Sequence, residues 1–174
     1  MPEQLKYFRL EQKYVKLLKE EDKPYYTEYE KRLIAWSIVW EGSILINKRK
    51  RKNRISYSPQ VSISNTEFEV LEQFQRIAKL GKVSPTPYKP KGRRAKQKPY
   101  KTWRITNYHA IFFILSQISP FITSKRKYQC AKLTIEFCRS RIKQHETSRQ
   151  IYPYTKREIE LAEKVIQLNK RGLP

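Results

Sequence analysis

Apolar residues recur along the chain with two different spacings, and these spacings predict its helices and strands. Residues 3–21 place apolar side chains at roughly helical intervals, until Pro24 interrupts the pattern. This stretch predicts an N-terminal helical appendage over residues 1–23.

A second helix is predicted to begin at Thr27. Glu30, three residues later, completes the capping-box pattern, and the helix runs on to Trp40. From Leu33 to Trp40 this helix is apolar on nearly every side, which is typical of a buried helix that often packs against a copy of itself.

From Gly42 onward the apolar spacing changes to two, which predicts two strands joined by a basic turn at residues 51–54. Alternate side chains of a strand point to opposite faces of a sheet. The residues predicted to face inward are Ile44, Ile46, Val61 and Ile63, and those predicted on the opposite face are Leu45, Asn47, Arg49, Gln60, Ser62 and Ser64.

The rest of the chain repeats this alternation of helix and hairpin. Residues 66–80 form an amphipathic pattern closed by Gly81, and residues 82–107 predict a second hairpin with a long basic loop. In its last strand, Trp103 and Ile105 alternate with Thr102 and Arg104. Further helices are predicted over residues 108–119, 125–144 and 156–170.

This order of elements predicts an α+β fold, with helices packed on one face of a four-stranded antiparallel sheet. Residues 24–150 are predicted to form the core of the fold, and residues 151–174 a C-terminal helix. The uncovered face would carry polar and basic side chains, and paired strands fit the major groove of DNA.

The charge of the chain favours a nucleic acid as partner. Its 174 residues include 38 Lys and Arg against 16 Asp and Glu, a formal net charge of +22. The segments 42–66 and 73–135 contain no acid at all, and the second of them holds 15 Lys or Arg. Basic fields of this extent suit a phosphate backbone better than a small acidic ligand.

A membrane is excluded as the anionic partner by the apolar pattern. No apolar run approaches the ~20 residues needed to span a bilayer, and the N-terminus lacks a signal-peptide block. We therefore expect a soluble intracellular protein of the cytoplasm or an organelle matrix. Cys130 and Cys138 lie eight residues apart in one predicted helix, which fits a reducing compartment.

One acid stands out in this acid-poor chain. In the stretch IAWSIVWEGSI, Glu41 follows an apolar helix and precedes an apolar strand. The stretch resembles the signature helix of the LAGLIDADG homing endonucleases of the single-motif, homodimeric, intron-encoded type. The resemblance covers about residues 28–140, and it implies a saddle-shaped sheet with the element order αββαββα.

The resemblance also implies an active site. Glu41 would be the metal ligand, Gly42 would contribute its carbonyl, and Lys125, or alternatively Lys127, would be the basic residue near the scissile phosphate. Two Glu41 carboxylates brought together need a cation between them, which implies Mg²⁺, with Mn²⁺ or Ca²⁺ as substitutes for binding. The family's polar residue at the end of the second strand falls on Ile63, with Ser62 or Ser64 as replacements.

By alternation and by resemblance, double-stranded DNA and a second copy of the chain are the expected partners. The residues predicted to contact DNA are Leu45, Asn47, Lys48, Arg49, Lys50, Arg51, Lys52, Arg54, Gln60, Ser62, Ser64, Lys91, Arg93, Arg94, Lys96, Lys98, Thr102 and Arg104. The residues predicted at the dimer interface are Ile34, Trp36, Ser37 and Trp40.

The signature helix departs from the family pattern where its small residues would lie. Trp36 and Trp40 occupy those positions, so the crossing of two such helices must widen, or the indoles must turn into the cores of the subunits.

The implied function is a metal-dependent endonuclease that hydrolyses both DNA strands at a long, roughly palindromic site, with one acid from each subunit. The alternative is a catalytically inactive protein of the same fold that binds DNA or intron RNA as a splicing maturase or regulator. A basic ribosomal or structural RNA-binding protein is a third interpretation, and it predicts a monomer.

Overall fold

Helices and strands follow one another in the predicted order. The computed structural model of the protein describes residues 25–51, 54–88, 96, 98–147 and 153–170. Its elements are α1 Glu28–Trp40, β1 Gly42–Arg51, β2 Arg54–Asn65, α2 Phe68–Ala78, β3 Lys82–Val83, β4 Lys101–Ile105, α3 Tyr108–Ile118, a 3₁₀ turn Ser119–Phe121, α4 Lys125–Thr147 and α5 Lys156–Leu168. The predicted appendage 1–23 and the predicted DNA contacts Lys52, Lys91, Arg93 and Arg94 lie outside the described residues.

The four strands form one antiparallel sheet in the order β1-β2-β4-β3. Directly paired residues of an antiparallel sheet lie on the same face. Leu45 pairs with Gln60, and Ser62 lies between Ser43 on β1 and Arg104 on β4. These residues therefore share one side of the sheet, which we call the open face.

The opposite side of the sheet carries the hydrophobic core. Ile44, Ile46, Val61 and Ile63 are each at most 4% exposed, and Trp103 is fully buried beside Phe74 of α2. The helices pack on this side, so the predicted α+β architecture is confirmed. No helix in the described part of the chain is long and apolar enough to span a bilayer.

The second hairpin is shorter than the sequence predicts. β3 has only two residues, and a single bridge between Tyr88 and Tyr100 extends the pairing. Pro85 and Pro87 lie just beyond β3, after Ser84, and proline has no backbone N–H to donate to a ladder. The strand therefore ends where the prolines begin.

The end of α2 also differs from the prediction, which assigned helix termination to Gly81. The left-handed residue at the end of α2 is Lys79, with φ 53°, whereas Gly81, with φ 81°, forms the turn into β3. A Cβ on Gly81 would lie 2.8 Å from the Trp103 ring. Glycine is therefore needed here because the chain passes against a buried indole.

The last helix is part of the same core. Thr155 and Glu158 form a capping box that starts α5, and Leu161, Ala162 and Val165 are fully buried. α5 packs against α4 and β1, so it fixes the position of the strand that follows Glu41.

Candidate active site and nucleic-acid interface

Glu41 lies at the junction between α1 and β1. Its backbone N–H donates to the carbonyl oxygens of Ser37 and Ile38 and so caps the helix. Because the backbone makes the cap, the exposed carboxylate remains available for another partner. None of the described basic groups forms a salt bridge with it.

Lys127, in the first turn of α4, holds this junction together. Its Nζ donates to the carbonyl oxygens of Ile38 at 2.8 Å, Val39 at 2.5 Å and Gly42 at 2.8 Å. Burial, followed by repulsion from Arg126, lowers the pKa of the Lys127 ammonium, while the negative charge of Glu41 acts in the opposite direction. The lysine thus ties the end of α1 and the start of β1 to α4.

Gly42 allows the strand to leave the helix at close range. A Cβ at this position would lie 2.7 Å from the Ile38 Cα, 2.9 Å from the Ile38 oxygen and 3.2 Å from the Ser62 oxygen. These neighbours are backbone atoms, which cannot rotate away as a side chain can. The position of Glu41 relative to the sheet therefore depends on glycine at residue 42.

We expect Gly42→Ala to lower the free energy of unfolding by about 1–3 kcal/mol, the usual cost of overpacking a close-packed contact. For a chain of this size such a loss lowers the melting temperature by roughly 2–12 °C. Denaturant unfolding followed by circular dichroism would measure it. Ser43→Ala, one residue along on the open face, is the control and should unfold like the wild type; equal stability of the two variants would contradict the close-contact argument.

The open face next to Glu41 carries a connected set of polar side chains. Asn47 Nδ2 donates to Gln60 Oε1 at 3.2 Å, and Gln60 Nε2 donates to Ser62 Oγ at 3.1 Å. Ser64 and Thr102 share a hydrogen bond of 2.8 Å. These bonds orient the amide and hydroxyl groups before any partner binds, and amides of this kind can form bidentate contacts with adenine edges.

The overall arrangement of strands and helices is similar to that of several solved structures. I-CvuI, in complex with the I-CreI target, aligns over 84% of this chain and 85% of its own, with a TM-score of 0.60 and 16% identity. The archaeal intron-encoded homing endonuclease I-Vdi141I, complexed with DNA, aligns over 84% and 87%, with a TM-score of 0.61 and 17% identity. The homing endonuclease I-TnaI aligns over 82% and 89%, with a TM-score of 0.58 and 11% identity.

The chain has the LAGLIDADG homing endonuclease fold. No protein-family model matches the sequence, and no curated protein matches it significantly.

The two lysines predicted near the active site lie at different positions in this fold. Lys127 reaches the junction that carries Glu41. Lys125 is exposed at the start of α4, where it lines a groove on the helical side. The Gly42 carbonyl, predicted as a metal ligand, accepts a hydrogen bond from Lys127, so an ion at that oxygen would lie beside an ammonium group.

The predicted DNA contacts divide between the two sides of the sheet. Arg49 and Arg104 are exposed on the open face, and Ser62 also lies there but is only 8% exposed beneath Gln60. Lys48 lies on the helix-covered side with Ile46, because alternate residues of β1 share a face, and its Nζ is 2.6 Å from Glu163 Oε1. By the same rule, Lys50 lies on the same side of β1 as Lys48. Lys96 and Lys98 are exposed near β4.

The predicted interface residues of α1 also divide. Trp36 and Trp40 are 61% and 69% exposed, with ring centroids 6.4 Å apart, so neither indole turns into the core of its own chain. Ser37 is half-buried and donates to the Leu33 carbonyl. Ile34 is fully buried, so the prediction that it contacts a partner chain is wrong.

The structure adds site residues that the sequence analysis missed. A cavity of about 390 Å³ is lined by Glu41 together with Ser64, Asn65, Thr66 and Tyr100. Lys82 pairs with Arg104 and is exposed, so it extends the open face across β3. The alternation of residues along β3 and β4 could have placed Lys82 on the open face. The cavity could not have been found in this way, because it forms where the ends of β2 and β4 meet, and the sequence does not give the register that pairs these strands.

Proposed function

We propose that the protein is a homodimeric, site-specific endonuclease of the homing type that cleaves double-stranded DNA. One observation carries the proposal: an exposed carboxylate, Glu41, ends a helix that also leaves two large indoles exposed, at the edge of a polar and basic sheet face. Burying those indoles against a second copy would bring two Glu41 carboxylates to one place.

The donor set suits a metal site shared between two chains. Within the described residues, no group of three or more His, Cys, Asp or Glu is arranged to hold a metal ion. Mg²⁺ is commonly held by one or two carboxylates, with water and substrate phosphate completing its shell, so one Glu41 from each chain fits it. When bound, divalent ions activate the attacking water and stabilise the charge that develops on the phosphate.

The chain's own residues would prepare this site and place the DNA. Lys127 acts as a positioning residue, because its three carbonyl contacts fix the segment that bears Glu41. Asn47, Gln60 and Arg104 would contact base edges from the open face, and Leu45 offers an apolar side chain to a thymine methyl group. The predicted basic residue Lys125 lines the groove on the helical side, so we assign it no contact with the duplex.

Cleavage of a plasmid library carrying randomised palindromic inserts tests the proposal. With Mg²⁺ we expect the wild-type protein to linearise a small subset of plasmids that share one sequence, and with EDTA we expect none to be cut. Cleavage in the presence of EDTA would contradict the metal requirement. Tight binding to one sequence without any cleavage, across Mg²⁺ and Mn²⁺, would overturn the proposal.

A second candidate is a protein of the same fold that binds DNA or intron RNA without cutting it. The observation that favours it is Ile63, which is 4% exposed in the core at the position where the family resemblance implies a polar active-site residue. Ser64, which lines the cavity at Glu41, would have to supply that polar group for the endonuclease. Sequence-specific binding without cleavage is the result that this candidate predicts.

A further inference from the structure

A second concave surface lies on the helical side of the molecule, away from the open face. It is a groove of about 1380 Å³ across the outer surface of α4, with the end of α3 on one flank and α5 on the other. The basic side chains that line it, among the residues the structure describes, are Lys125, Arg126, Lys132, Arg139, Lys164 and Lys170. Because α3, α4 and α5 cover the core side of the sheet, a duplex lying on the open face does not reach this groove.

The acids of the groove offset only part of its positive charge. Among the described residues, the acids that line it are Glu136 and Glu163, and each forms its short ion pair with a cation outside the groove. Glu136 pairs with Arg157 at 2.8 Å, and Glu163 pairs with Lys48 at 2.6 Å. Within the described residues, no ion pair involves Lys125, Arg126, Lys132, Lys164 or Lys170. A concave surface with this excess of positive charge attracts a polyanion.

Apolar and aromatic surface lies among these cations. Tyr128 is 37% exposed, and the Lys132 Nζ lies 5.5 Å from the centre of its ring. Leu133, Ile135 and Leu168 also line the groove. A duplex presents mainly its phosphates to such a surface, whereas a single strand offers both phosphates to the lysines and unpaired bases to the tyrosine and aliphatic side chains.

We propose that this groove, lined by α4 and α5, binds a single-stranded nucleic acid through its phosphate backbone and unpaired bases. The groove acts independently of Glu41 and of the duplex on the open face. Single-stranded RNA and single-stranded DNA both offer phosphates and unpaired bases to the groove, and the experiment below distinguishes between them.

Two matched double variants of the full chain test the proposal. Lys132→Glu with Lys164→Glu alters the groove, and Lys82→Glu with Arg104→Glu makes the same charge change on the open face. Binding of labelled single-stranded RNA, single-stranded DNA of the same sequence and duplex DNA is measured by fluorescence anisotropy over a range of salt concentrations. The affinities of the wild-type protein for single-stranded RNA and for single-stranded DNA show which of the two the groove prefers.

We expect the groove variant to bind single strands at least about tenfold more weakly and to reduce the salt slope of log K by about 1.4, since each lost phosphate contact removes about 0.7. Its duplex binding should stay within about threefold, and the open-face variant should show the reverse pattern. If both variants weaken both ligands equally, the groove is only part of a general positive field and the proposal fails.

A measurement on the wild-type protein keeps the proposal testable if the groove variant does not fold. Ultraviolet crosslinking of a single strand, with duplex DNA in excess, followed by peptide mass spectrometry, identifies the segment in contact. Crosslinks at Tyr128 and its neighbours in α4 support the groove. Crosslinks confined to β1, β2 and β4 overturn it.

Discussion

Glu41→Gln is expected to abolish DNA cleavage while leaving duplex binding intact. Glutamine keeps the shape of the side chain and removes its charge, and in a homodimer the change removes both proposed carboxylate ligands at once. Loss of a hydrogen-bond partner of a metal ligand already costs about 10–100-fold, so loss of the ligand itself should cost at least about 100-fold in cleavage rate. The fold should survive, because the backbone N–H of residue 41 makes the helix cap.

Plasmid cleavage in Mg²⁺ and duplex binding in Ca²⁺, measured on the same preparations, separate chemistry from binding. Glu72→Gln is the matched control, since it removes one exposed carboxylate from α2 without touching the junction. Binding by the Glu41 variant should equal or exceed that of the wild type, because two negative charges near the DNA phosphates are lost. Unchanged cleavage would show that Glu41 is not part of the active site. Loss of binding together with loss of cleavage would show that Glu41 has a structural role.

Alternation along the strands predicted most of the open face correctly. A strand exposes every second residue, so the burial of Ile44 and Ile46 placed Leu45, Asn47 and Arg49 on the other side without any knowledge of tertiary contacts. The same rule works for Trp103 and Ile105 on β4. The rule is local, and for that reason it holds wherever one face of a strand is buried.

The basic residues near the tip of the first hairpin do not all lie on one face of the sheet. Lys48 belongs to a run of basic residues, yet its place in the alternation puts it on the covered side of β1, where Glu163 lies. That acid is far away in the sequence and reaches Lys48 only because α5 packs on β1.

The signature helix marks a different limit of sequence reasoning. A helix that is apolar on nearly every side can pack one side against the core of its own chain and another against a partner. The sequence does not show which side does which. In the structure, the buried residues of α1 are Ile34, Ala35 and Ile38. Likewise, the sequence allowed either Lys125 or Lys127 near Glu41, and the start of α4 decides which of them reaches the junction.

Trp36→Ala combined with Trp40→Ala is expected to convert the proposed dimer into a monomer and to eliminate double-strand cleavage. Buried interface aromatics are frequent hot spots whose truncation costs about 2 kcal/mol or more each, and a two-fold dimer loses four of them at once. Because such losses are not additive, about 4 kcal/mol is a conservative total, which weakens the dimer by roughly a thousandfold. Sedimentation velocity across a range of protein concentrations would measure the change.

The monomer should remain folded, because both indoles are mostly exposed and alanine is the best helix former. Val70→Ala, which truncates another exposed apolar side chain on a helix, is the control and should leave the oligomeric state unchanged. A monomer with one Glu41 lacks half of the proposed donor set, so cleavage should fall together with dimerisation and recover at high protein concentration. A double variant that remains dimeric, or a monomer that still cuts both strands, would show that the two Glu41 carboxylates do not meet through this face of α1.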